Sequence, residues 1–552
     1  MRQRRLIGLA YGGSNRGMKS DKSPRLKGGN EKRRLLIVGW DGADWDILDD
    51  LAARGCLPCV TSLVETGARG VLQSVIPSHS WAAWPTFLTG EDPPGHGVFD
   101  FVERDPAQPG RRVPVTSASI KAPTFLEYLS EAGREVRVGN VPVAYPPIPV
   151  KGRMISGVAV PPGGEFVHPK EWGEELQRRA PFPVNGLEWL NFEHDPESLL
   201  EEARLLIEQR TDAYEVLLEG SWDTAVCIYV EPDRLQHAFG AYLLPSHPDH
   251  KALAASKVGE LLRNVYELLD ASTARLLKAA GPGTSLVLMS DHGFRPITRQ
   301  LDLNQLLKHL GFASGARSAT ATTALRQSSV ARRLKRTKVA APLRRKVKMP
   351  STLDWARTRA YKATTGGGLS LNLKGREPNG IVEPDDYERI RSELSAALLA
   401  FVDPETGEKP IAETYNRESL YEGPYLHLAP DLFVKAGDLW GMSSTSKSNG
   451  LSSSTTWPTG RHRRAGIILA HGPHIAPGDL GERHLHDIAP TALAFYGLRA
   501  PSSAGSPIEE LSGAAGAEVT VGALGDIRRQ SELTNEEQQQ ITDHLRDLGY
   551  IE

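Results

Sequence analysis

Apolar positions along the chain form two kinds of run. The first clear one is RLLIVGW (34–40), an unbroken apolar stretch of the sort a strand buried on both faces requires. It ends on Asp41 and Gly42, after which DWDILDDLAARG takes up helical spacing. The same transition recurs twice. TAVCIYV (224–230) runs into Glu231-Pro232-Asp233, and SLVLMS (285–290) runs into Asp291-His292-Gly293. Between these two, VGELLRNVYELLDASTARLLKAA (258–280) keeps a helical period over a length that suits a crossover between parallel strands. GIILAHG (466–472) predicts a further strand, and DIAPTALAFYGL (487–498) the helix that follows it. Alternating strands and helices predict an α/β fold on a doubly wound, mostly parallel sheet.

The stretch from about 300 to 455 reads differently. GLSLNLKG (368–375), an amphipathic helix near 385–401 and PDLFVKA (430–436) predict a smaller α/β lobe inserted before the chain returns to the main sheet. SSTSKSNGLSSSTT (443–456) reads as a mobile surface loop. LTNEEQQQITDHLRDLGY (533–550) reads as one helix, with Thr534 as N-cap and Glu537 closing a capping box. Residues 1–33 are basic and aperiodic and read as a disordered tail. The expected organisation is therefore a tail at 1–33, a main domain at 34–512 carrying the inserted lobe, and a C-terminal extension at 513–552.

Composition adds exclusions. Hydrophobic residues make up 40% and charged residues 24%, ordinary for a globular chain, and the net charge of −2 argues against a global field for nucleic acid. The charge is uneven, however. Residues 303–353 contain no acid, while Arg332, Arg333, Lys335 and Arg336 crowd together, which reads as a solvated surface or lid, with neutralisation of an anionic substrate, a membrane or RNA as the alternative. No apolar run approaches the roughly 18 residues of a membrane span, and Leu6–Ala10 is too short for a signal sequence. Cys56, Cys59 and Cys227 make no disulfide framework; Cys56 and Cys59 have redox spacing but read as small apolar residues at a helix start. The chain is read as cytoplasmic.

The candidate chemistry gathers where ligands gather in such sheets, at the carboxyl ends of the strands. Asp41, Asp233 and Asp291-His292 fall there, and Asp233 and His237 stand four apart on one helix face. Carboxylates mixed with imidazoles suit zinc or manganese better than calcium. Ser80 stands at the start of a short helix, where free N–H groups and the dipole favour an attached phosphate; Ser78 or Ser80 serving only as an N-cap is the alternative.

GWDGADW, SWAAWPTFLTG with HGVFDF, EPDRLQHAFG, SDHGF and TGRHRRAGIILAHGP occur in the order seen in the alkaline phosphatase superfamily. Over 34–510 the chain most resembles the type I phosphodiesterase/nucleotide pyrophosphatase branch, and within it bacterial predicted phosphohydrolase/phosphomutase proteins; NVPVAYPP (140–147) and YKATTGGGLSLNLKGREPNGIVEP (361–384) add to that likeness. The resemblance implies a two-metal phosphoric ester hydrolase acting on a small phosphorylated substrate. Asp233, His237 and His462 would bind one divalent ion, and Asp41, Ser80, Asp291 and His292 the other, with Ser80 as the nucleophile. A phosphomutase on the same site, or a binding protein that kept the fold, are the alternatives. Two departures matter. The Asn with which nucleotide-cleaving members hold a phosphate oxygen is matched here by Phe101, preceded by Asp100. Ser80-Trp81-Ala82-Ala83-Trp84 lacks the Pro and Arg that sulfatases need after their nucleophile.

Overall fold

The computed structural model describes residues 33–105, 111–184, 186–187, 195–315, 353–443, 450–501, 503–512, 519–522, 524 and 533–547. Its centre is a nine-stranded sheet in the order Gly478–His484, Ala68–Gln73, Ala465–His471, Thr284–Met289, Arg34–Trp40, Thr224–Tyr229, Val136–Gly139, Gly152–Ile155 and Val167–His168. The apolar run at 34–40 is the middle strand, parallel to Thr224–Tyr229 on one side and to Thr284–Met289 on the other. Its alternate side chains enter different layers. Leu35 and Ile37 join one core with Trp84, Phe87 and Leu493, while Leu36, Val38 and Trp40 join a second with Leu262, Tyr266 and Leu269. A strand covered on both faces has no polar side, which is why the sequence shows no alternation there.

Three neighbouring parallel strands end at one edge, so Asp41, Asp233 and Asp291 arrive together. Ala465–His471 lies beside them but runs antiparallel, pairing Ile468 with Met289. An antiparallel strand begins where its neighbours end, and His462, three residues upstream, is therefore delivered to the same edge.

In the stretch expected to form a lobe, Ala360–Lys362, Gly368–Leu371, Leu432–Ala436 and Ile411–Asn416 make a separate four-stranded sheet that packs with the helix Tyr387–Ala400 around Leu306, Leu369, Leu398 and Trp440. A second sheet joins Leu439–Ser443, Gly293–Asp302 and Ser452–Arg463. The loop expected at 443–456 is thus partly strand. Ser452 at its end donates to Asp403 Oδ1 at 2.8 Å and accepts from Arg299 Nη2 at 2.7 Å, contacts that polar composition alone does not announce. The basic run at 317–348 and the tail at 1–32 lie outside the described residues. Arg33 does not belong with the tail: its guanidinium stands 4.2 Å from the Phe495 ring and donates to Ser512 O at 3.0 Å. Deletion of residues 1–32 is expected to leave the melting temperature unchanged, whereas Arg33→Ala should lower it, readable by calorimetry.

The terminal helix spans Asn535–Asp547, with Thr534 and Glu537 forming the expected box, and it buries Ile541 and Leu545 in the main core. Cys56, Cys59 and Cys227 are free thiols, and burial, with Asp270 nearby, pushes Cys59 up to about 12, so the pair has no redox poise. No described helix is long and apolar enough to cross a membrane.

One peripheral pair offers a pH test. Burial would lower the His486 imidazole, but Asp92 at 3.0 Å, Asp487 at 3.7 Å and Glu91 raise it above its ordinary 6.5, while the His484 ring lies 5.2 Å away. A raised folded value stabilises fully below 6.5 and is lost as pH rises through it. His486→Gln should therefore reduce the melting temperature more at pH near 6 than near 8; an equal loss at both would contradict this charge pair.

Candidate metal centre

Asp41 leaves the middle strand and Gly42 follows with φ +73, a left-handed turn in which a Cβ would strike the Phe294 ring at 2.7 Å. That turn aims Gly42 N at Asp291 Oδ1, 3.1 Å away, and locks two strand ends together. Asp233 and His237 sit on the helix Glu231–Leu243, one turn apart, with His237 Nε2 3.4 Å from Asp233 Oδ1. The strand Ser452–Arg463 supplies His462, whose Nε2 lies 3.0 Å from Asp233 Oδ1 and 2.7 Å from His237 Nε2.

Ser80 is the first residue of the helix Ser80–Thr89, and His79 occupies the cap position. Its hydroxyl does not cap the helix. Ser80 Oγ donates to Asp41 Oδ1 at 3.3 Å and lies 3.3 Å from His292 Nε2. Ser78 contributes only its carbonyl here, 2.7 Å from His462 Nδ1. The structure thus brings Asp41, Ser80, Asp233, His237, Asp291, His292 and His462 to one edge. Ligand atoms of Asp41, Asp291 and His292 lie within 4.8 Å of one another, as do those of Asp233, His292 and His462. His292 stands between the groups, its ring stacked 3.7 Å from that of His462.

The donor set fits divalent cations on three observations. A carbonyl can only accept, so Ser78 O fixes the proton of His462 on Nδ1, and Gly293 O at 3.3 Å does the same for His292. Each Nε2 then turns a lone pair toward carboxylates, an arrangement that makes electrostatic sense around a cation. Burial pulls the His237 imidazole down to about 3 and that of His292 well below its ordinary value. Burial and the mutual repulsion of the carboxylates push Asp41 well up and Asp291 up to about 7, and Asp291 Oδ2 is buried without a hydrogen-bond partner.

Comparison with known proteins bears on this geometry. The sequence profile of the type I phosphodiesterase / nucleotide pyrophosphatase family matches residues 35–464. The chain belongs to that family. It is a phosphoric ester hydrolase of the alkaline phosphatase superfamily. No curated protein sequence matches it. Among solved structures, phosphonoacetate hydrolase from Sinorhizobium meliloti 1021 in complex with phosphonoformate superposes with a TM-score of 0.51 at 17% identity, covering 80% of this chain and 90% of that one. Its complex with phosphonoacetate gives the same TM-score at 18% identity and the same coverage. Murine ectonucleotide pyrophosphatase / phosphodiesterase 5 gives 0.46 at 14% identity, covering 83% and 93%. The likeness to the hydrolase establishes the fold.

Within this phosphodiesterase-family site, four supporting residues escaped the sequence reading. Trp84, one turn after Ser80, donates Nε1 to Asp41 Oδ2 at 3.0 Å. Asp44, within the GWDGADW block, accepts from Phe294 N at 3.0 Å and pairs with Arg463, fixing the strand behind His462. Gln236 donates to Gly42 O at 2.9 Å, tying the Asp233 helix to the Asp41 turn. The signal for Trp84 was its place four residues along the nucleophile's helix, and for Asp44 a second acid inside a motif already chosen. Phe101, where nucleotide-cleaving members carry Asn, packs its ring 4.5 Å from Trp81 and 5.5 Å from His79 and offers nothing to a phosphate oxygen. Asp100 beside it accepts from Thr365 N at 3.3 Å and anchors the lobe to this loop.

Proposed function

We propose that this enzyme hydrolyses a small phosphomonoester or phosphodiester in two displacements, through a phosphoserine on Ser80. The observation that carries the reading is the place of Ser80 Oγ, 3.3 Å from both Asp41 Oδ1 and His292 Nε2, at the N-terminus of a 10-residue helix. The hydroxyl proton is directed at Asp41 Oδ1, which leaves an oxygen lone pair for phosphorus. Oγ attacks, the bond to the leaving oxygen breaks with its electron pair, and the leaving group departs opposite Ser80. The phosphoryl oxygens then face the first turn of the helix, where N–H groups and the dipole favour negative charge. Water next attacks the phosphorus and the bond to Ser80 Oγ breaks, with one water proton returning to the serine; a monoester releases phosphate and a diester releases a phosphomonoester.

Asp233, His237 and His462 would hold one divalent ion, and Asp41, Ser80, Asp291 and His292 the second. Two such ions, zinc or else manganese, would supply the positive charge that lowers the Ser80 pKa and stabilises the leaving oxygen. Nucleotide diesters fit this reading poorly because Phe101 offers no hydrogen bond. Three unpaired cysteines support a cytoplasmic setting.

Chelation should abolish turnover of p-nitrophenyl phosphate or its bis ester, and zinc or manganese should restore it. Full turnover by protein that elemental analysis finds free of metal would overturn the reading.

A further inference from the structure

The strand that carries His462 to the metal centre also carries one of a cross-strand pair of arginines that no carboxylate of the described residues meets at salt-bridge distance. Arg461 precedes His462, and its partner directly across the Gly293–Asp302 strand is Arg295. Like charges facing each other across a strand pair repel. Neither guanidinium meets a carboxylate at salt-bridge distance among the described residues, although Asp438 acts on Arg295 and Asp233 on Arg461 from farther off. Many other arginines do meet one, among them Arg463 with Asp44, Arg376 with Asp431 and Arg210 with Glu231. Arg295 spends its two terminal nitrogens on Gly437 O at 3.2 Å and Trp440 O at 2.7 Å. Arg461 uses only Nη1, on Gly460 O at 2.7 Å and Thr459 Oγ1 at 3.1 Å. Its Nε and Nη2 donors have no acceptor among the described residues.

The position of this guanidinium gives it a task. Thr459, which it holds, donates in turn to His237 O. Arg461 therefore flanks His237 and His462, the two most open side chains of the centre at 12% and 17% exposure, where Asp291 and His292 are at 0%. Arg461 is itself only partly buried. Ser80 stands on the opposite side, against Asp41. An in-line attack from Ser80 expels the leaving group away from the serine, toward Asp233, His237 and His462. Arg461 acts electrostatically on Asp233 and His237, two of the ligands on that side.

We propose that Arg461, with Arg295 behind it, forms a subsite for a second anionic group, a carboxylate or phosphate borne by the leaving group. This rests on the phosphoester-hydrolase reading of the adjoining centre. A guanidinium is cationic at neutral pH whatever its surroundings. A forked cation with two idle donors suits an oxyanion, and the repulsion between the two arginines is relieved when the anion binds. The natural substrate class is then a phosphoester or phosphoanhydride with at least two anionic groups, rather than the ester of a neutral alcohol.

The test separates binding from chemistry. Metal-loaded Ser80→Ala protein is titrated calorimetrically with ethyl phosphate, phosphoglycolate and pyrophosphate, with Arg461 intact and as Arg461→Gln. With Arg461 intact, phosphoglycolate, pyrophosphate or both should bind about tenfold tighter than ethyl phosphate, the worth of one charge-assisted contact. Which of the two gains more tells a carboxylate subsite from a phosphate one. Arg461→Gln should erase that gain and leave ethyl phosphate within about twofold. Arg461→Lys should keep part of it, and added salt should shrink it without any substitution. Equal loss for all three probes would show a structural role for Arg461, and no preference with Arg461 intact would equally overturn the subsite. Turnover of phosphoglycolate or pyrophosphate by the Ser80 enzyme judges the hydrolase reading separately: its absence beside an Arg461-dependent preference would leave an anion site without that chemistry.

Discussion

Ser80→Ala is expected to remain folded and metal-loaded while turnover falls by about 10⁴-fold or more, because the nucleophile is lost and the electrostatics of the centre persist. The hydroxyl makes two contacts of 3.3 Å in a site held by many others, so its removal should shift stability by no more than about 1 kcal/mol. Asp41 keeps Trp84 Nε1, and Asp291 keeps Gly42 N. Ser80→Thr adds a methyl group but retains the oxygen and should keep measurable turnover. Ser78→Ala is the matched control. Ser78 serves His462 through its backbone carbonyl, which alanine preserves, so activity should stay within a few-fold. Steady-state kinetics on the three variants decide the point, and a Ser80→Ala enzyme near the wild-type rate would remove the serine from the mechanism.

Asp291→Asn should separate stability from function in sign. In the absence of metal, Asp41, Asp233 and Asp291 are buried together, and Asp291 Oδ2 has no hydrogen-bond donor. An amide there removes one of three mutually repelling charges, keeps the acceptor for Gly42 N and offers N–H toward Asp41. The metal-free variant should therefore be more stable than metal-free wild type by about 1–2 kcal/mol near pH 8. Zinc should raise the melting temperature of wild type well above that of the variant, and the variant should lose about 10³-fold or more in kcat. If the metal-free variant is the less stable one, repulsion among these carboxylates does not govern the site.

Much of this centre was legible because a buried parallel strand that ends on an acid is a strong local signal. Asp41, Asp233 and Asp291 could be placed on one edge from three apolar runs alone. The direction of 465–471 could not, since an apolar run reads the same whichever way its strand points, and only pairing shows that it runs antiparallel. Neighbouring residues such as Asp291 and His292 likewise hide where their side chains aim. The sequence reading gave His292 to one group of ligands, yet its Nε2 lies 3.4 Å from Asp291 Oδ2 and 4.0 Å from Asp233 Oδ1, so it faces both. The serines near 452 read as loop because composition does not reveal that Asp403 and Arg299 wait across the sheet. Arg461 sits within the TGRHRRAGIILAHGP block without any local signal, since a lone arginine in sequence carries no sign of whether a carboxylate meets it.

The most direct measurement is to quench metal-loaded wild-type enzyme with acid during turnover and map the trapped phosphoryl group by peptide mass spectrometry. The account predicts a phosphopeptide from the helix Ser80–Thr89 with the modification on Ser80, absent from Ser80→Ala and from chelated enzyme. Turnover without any phosphopeptide, or a label on Ser78, would contradict it.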